Sequence, residues 1–100
     1  MEWLTPWHPI PDSEDFTLEL IREVIKGHPL FQVPTKSIAR RQDCDDVLFQ
    51  IEDGSGRVAV VHLTWSMKPE PSPNSPHSVF YDSLQNWARE AMSHDHDEFA

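Results

Sequence analysis

The chain has 100 residues, 38% of them hydrophobic, and a formal charge of −9 from 17 acidic against 8 basic side chains. That length supports one hydrophobic core and a single domain over residues 1–100. A field of this sign repels phosphate backbones and anionic lipid heads, so neither nucleic acid nor membrane is an expected partner. Four tryptophans and five phenylalanines can fill such a core, and folding calls for no metal, disulfide or other cofactor.

Residues 1–11, MEWLTPWHPIP, hold three prolines and two tryptophans and should form an extended arm whose indoles pack on the domain or on a partner. A helix over about 13–26 follows. Asp12 or Ser13 can cap it, Glu14 and Asp15 suit its positive end, and Phe16, Leu18, Leu20, Ile21, Val24 and Ile25 fill an apolar face. Glu19, Arg22, Glu23 and Lys26 take the outer face, and Gly27 with Pro29 stops the helix. Ser37 to Arg41 reads as a weak strand.

The central signal is a hairpin, about 47–52 and 57–65, around Asp53-Gly54-Ser55-Gly56. Direct closure pairs Glu52 with Arg57, Ile51 with Val58, Phe49 with Val60 and Val47 with His62, which places His62 on the core face. The other face carries Leu48, Val61, Leu63 and Trp65 and should be covered by the N-terminal arm or by a second copy of the chain. Four prolines make 66–78 an extended loop, and a short strand at Ser78 to Tyr81 leads to a helix over about 83–93. Asp82 and Gln85 have capping-box spacing, and Leu84, Trp87, Ala88, Ala91 and Met92 form the apolar stripe. Residues 94–100 are expected to be a mobile acidic tail. The fold class is α+β: an antiparallel sheet of three or four strands, with both helices on one face and Trp87 over Phe49 and Val60.

Few residues suggest chemistry. In SHDHDEF, His94 and His96 share a side only if the chain is extended, and two imidazoles on a terminus fall short of a metal site. His62, on the expected core face, needs a hydrogen-bond partner, and Thr64 is the nearest candidate; together they are the candidate ligand-binding residues. The neighbouring Asp43, Asp45 and Asp46 should raise the Cys44 pKa, so a reactive thiolate is not expected. A lone cysteine and no basic-then-apolar opening fit a reducing, cytoplasmic setting. Ser55 sits in turn chemistry, not on a nucleophile elbow, and no catalytic residue is assigned.

The stretch EDGSGRVAVVHLTW, residues 52–65, resembles small bacterial single-domain proteins of unknown function, with the likeness extending over roughly 47–90. The resemblance implies a self-contained bacterial domain and brings no activity, ligand or catalytic residue. The leading expectation is a non-enzymatic, acidic protein-interaction module, adaptor or immunity-like, with a basic protein partner and Trp3, Trp7 and Trp65 as exposed anchors. The alternative is a small enzyme or ligand-binding protein with its pocket near His62 and the Pro-rich loop 66–78.

Overall fold

In the computed structural model, which describes residues 1–11 and 14–99, the strands form one antiparallel sheet in the order β1-β2-β3-β4-β5. They are β1 (Trp7–Pro9), β2 (Thr35–Arg41), β3 (Asp46–Ile51), β4 (Val58–His62) and β5 (Ser78–Tyr81). Helix α1 (Glu14–Glu23) precedes β2. After β5, helix α2 (Leu84–Trp87) runs through a π-helical turn at Ala88–Met92 into α3 (Ser93–Phe99). No helix among the described residues is long and apolar enough to cross a membrane. The α+β class holds, with one more strand than expected.

The extra strand comes from the arm. Trp7, His8 and Pro9 pair with Arg41, Arg40 and Ala39, and an edge position tolerates Pro9. Trp7 is 1% exposed, a core residue.

The hairpin closes one residue away from the expected register: Gln50 pairs with Val58, Phe49 with Ala59, Leu48 with Val60, Val47 with Val61 and Asp46 with His62. Glu52 has joined the turn. Its N–H donates to Pro34 O (2.9 Å), while Ile51 N–H donates to Arg57 O (3.0 Å), and Gly54 and Gly56 supply φ of +81° and +80°. A slip of one residue turns a whole strand over. Val61 and Leu63 therefore join Val47, Phe49 and Ile51 in one core, while Val58 and Val60 join Leu48 in the other.

The helices consequently lie on opposite faces, not on one. Leu20 and Val24 of α1 pack on the Phe49 side, whereas Trp87 and Met92 pack with Trp7, Leu48 and Val58 on the reverse. Near-continuous apolar runs at 47–49 and 58–61 require cover on both sides, which is the physical reason for three layers. Trp87 meets Trp7 edge-on, with centroids 5.0 Å apart, and Trp3 at 5.9 Å. The face expected to be covered by the arm or by a second copy is divided between the two layers: Leu48 packs under Trp7 of the arm and Trp87, while Val61 and Leu63 lie on the α1 side.

The C-terminal segment also departs from expectation. Ser83, not Asp82, caps α2, its Oγ accepting from Asn86 N–H (3.1 Å). The Ser93 N–H reaches back to Ala88 O, so helix continues through residues 93–99 where a tail was expected. Trp7 explains the docking: its buried indole N–H needs an acceptor, and Asp95 Oδ2 provides one at 2.9 Å. The His96 ring N–H donates to Thr5 O (2.8 Å), and Asp95 lies 3.4 Å from Arg41.

The proposed caps of α1, Asp12 and Ser13, lie outside the described residues. The helix ends at Glu23, ahead of Gly27, whose φ is +102°. A Cβ there would stand 3.1 Å from Pro73 Cβ, so Gly27 lets the Pro-rich loop come close. Gly27→Ala should cost about 1–2 kcal/mol, read as a lower urea midpoint at unchanged m-value. His28 fastens the same loop: Nδ1 accepts from Leu30 N–H (3.0 Å), so Nε2 carries the proton and donates to Pro76 O (2.9 Å). The buried, satisfied histidine is His28.

Candidate functional site

Helix α1 is turned about its own axis relative to the face its sequence suggests. Glu19 and Glu23 are fully buried beside Leu20, while Leu18 and Ile21 are 44% and 61% exposed. At 100° per residue this places the buried arc roughly a quarter turn from the one centred on the aliphatic residues. Sequence periodicity assigned Leu18 and Ile21 inward and both glutamates outward. The structure reverses all four.

The reason lies beyond β4. After His62 the chain leaves the ladder, with Leu63 fully buried, and the next amides need acceptors. Glu23 accepts from Thr64 N–H (2.9 Å to Oε1, 3.1 Å to Oε2) and from Trp65 N–H (2.8 Å). Glu19 accepts from Met67 N–H at 3.0 Å. Within this loop Trp65 and Met67 have φ of +57° and +61°, left-handed values that cost a side-chain-bearing residue about 1–2 kcal/mol each. The carboxyl groups hold that backbone in place.

The two carboxyls share a proton. Burial, followed by the hydrogen bond to Glu19, pushes Glu23 up to about 7 despite its amide donors. Burial also opposes ionisation of Glu19, but hydrogen bonds from Glu23, Met67 N–H and Arg22 outweigh it and hold Glu19 below the ordinary glutamate range. Below about pH 7 Glu23 is the member that holds the proton, and Glu19 carries the charge beside Arg22 (3.4 Å).

Outward, the Trp65 ring packs edge-on against Phe16 (5.7 Å) and stays 37% exposed, and Met67 is 66% exposed. Phe16, Leu18, Trp65 and Met67 line a groove of about 550 Å³, together with Asp15, Arg22, Arg40, Cys44, Asp45 and Asp46. Of the three expected anchors only Trp65 presents its ring: Trp7 is core, and Trp3 is half-buried against Trp87.

His62 is not a core residue. The register turns it to the sheet face opposite α1, where its side chain is 51% exposed and Nδ1–H donates to Asp46 Oδ1 at 2.8 Å. Thr64 takes no part in that pair; its hydroxyl accepts from Ser66 N–H (3.4 Å). Cys44 lies beside the pair, and burial, with the Asp46 charge adding to it, raises the thiol pKa. A neutral thiol is a poor nucleophile, so this is no activated cysteine. Comparison with family models, with curated proteins and with solved structures returned no match, and the resemblance of residues 52–65 stands on those residues alone.

Proposed function

We propose that the protein is a non-enzymatic interaction module whose contact surface is the loop Thr64–Met67 with Phe16 and Leu18 beside it. The observation that carries this reading is the rotation of α1: two carboxyls take buried positions and fix a strained loop, while three large apolar side chains of the groove, Leu18, Trp65 and Met67, face water. Strain and exposed apolar surface at one place are costs to the free protein, and an interface recovers them. Asp15, Asp45 and Asp46 outnumber Arg22 and Arg40 along the groove, and Arg22 is already paired with Glu19, so the partner is a protein that inserts an apolar side chain flanked by basic ones. An adaptor or immunity-like role in the cytoplasm suits such a surface.

The alternative, a ligand or acid–base site at His62, has the Asp46 hydrogen bond in its favour. It lacks an activated nucleophile, and Thr64 does not complete it.

Trp65→Ala should leave the unfolding free energy within about 1 kcal/mol yet weaken partner binding by about 2 kcal/mol, roughly 30-fold. The check is affinity capture from the source lysate with wild-type and Trp65→Ala baits, followed by titration of the purified partner. A stoichiometric partner retained equally by both baits would refute this surface.

A further inference from the structure

We propose that Cys44, Asp46 and His62 form a binding site for a divalent transition ion of the zinc class. Cys44 lies in the bend that leads into β3 and Asp46 opens that strand. His62 arrives from the end of β4, directly opposite Asp46 in the ladder. One ligand atom from each residue lies within 4.8 Å of the other two. Tetrahedral zinc with bonds of ~2.0–2.3 Å holds its ligands ~3.3–3.6 Å apart, so small side-chain rotations close the site.

The donor set selects the metal. Thiolate and imidazole favour zinc and its neighbours over magnesium or calcium, and three protein ligands leave a fourth position for water. A cation bound between His62 Nδ1 and Asp46 Oδ1 takes the place of the hydrogen bond there: the imidazole proton moves to Nε2, and the neutral Cys44 thiol releases its proton to solvent as it becomes the thiolate ligand. Arg41, the neighbouring cation, is occupied by Asp43 (2.8 Å) and Asp95 (3.4 Å), which offsets its repulsion of a metal. The strand ends that carry Asp46 and His62 are fixed by pairing, unlike a free terminus. By contrast His94 and His96, two apart on a helix, point away from each other and are engaged by Glu98 (3.3 Å) and Thr5 O (2.8 Å). The site does not depend on the contact role of the 64–67 loop.

The test is titration of the metal-free full chain with Zn2+ alone, with Co2+ absorption as the structural readout. One equivalent should bind, and Co2+ should show a thiolate charge-transfer band with tetrahedral ligand-field intensity. Cys44→Ser should abolish the band, and His62→Ala should weaken Zn2+ by at least ~10-fold. The double substitution His94→Ala with His96→Ala should change neither. Absence of the thiolate band from the wild-type spectrum overturns the proposal whatever the variants do, as does zinc binding that survives Cys44→Ser and disappears with the two tail histidines.

Discussion

Replacing Glu23 by alanine is expected to lower the unfolding free energy by about 2–4 kcal/mol at pH 6, read from urea denaturation. The side chain is fully buried and accepts from two backbone amides, Thr64 and Trp65. Each amide left without a partner costs about 1–3 kcal/mol unless it reaches water, and the loop can reach water only by giving up its left-handed turn at Trp65. Two companion variants separate hydrogen bonding from volume. Glu23→Leu keeps the bulk and should be destabilised nearly as much as alanine. Glu23→Gln keeps an acceptor for both amides and a donor toward Glu19, and should cost less than about 1 kcal/mol. If leucine were tolerated and glutamine not, the loop would be held by packing and the clamp would be the wrong description.

Stability should fall by about 3 kcal/mol as pH rises from 4.5 to above 7, apart from other groups. The folded pKa of Glu23 is raised to about 7 from 4.5, so across that window the native state holds a proton the unfolded chain has released. Its contribution is complete below 4.5 and lost as pH passes 7. Glu19 acts in the opposite sense. Its folded pKa is lowered, so its contribution is present above 4.5 and lost as pH falls through the lowered value. The pair thus gives an optimum on the acid side of neutrality. Denaturation across pH 5 to 8 should show the alkaline decline in the wild type and a flat profile in Glu23→Gln.

The parts of the fold legible in the sequence are those set locally. Gly27 and Pro29 bounded α1 to within a few residues, the DGSG turn located the hairpin, and proline density marked 66–78 as loop. The hairpin register was not legible because it turns on Glu52, whose amide is satisfied by Pro34, the residue just ahead of β2. A slip of that single residue moved His62 from the expected core face to an exposed position opposite Asp46. The rotation of α1 was hidden for a related reason. Nothing near Glu19 or Glu23 in the chain reveals amides more than forty positions ahead that require acceptors. Trp7 reads from the sequence as an exposed anchor of the arm yet is a core residue, and because its acceptor, Asp95, lies at the far end of the sequence, the helical 93–99 segment could not be foreseen from composition.

Buried carboxyls, rather than the sheet, hold the loop that displays Trp65 and Met67. Native-state hydrogen exchange at the Thr64, Trp65 and Met67 amides tests it directly, in the wild type and in Glu23→Ala at pH 6. All three should be protected in the wild type, and protection should be lost at Thr64 and Trp65 in the variant, while the β3 and β4 amides keep theirs relative to the lower global stability. Unprotected loop amides in the wild type, or protection at Thr64 and Trp65 that outlasts removal of Glu23, would contradict it.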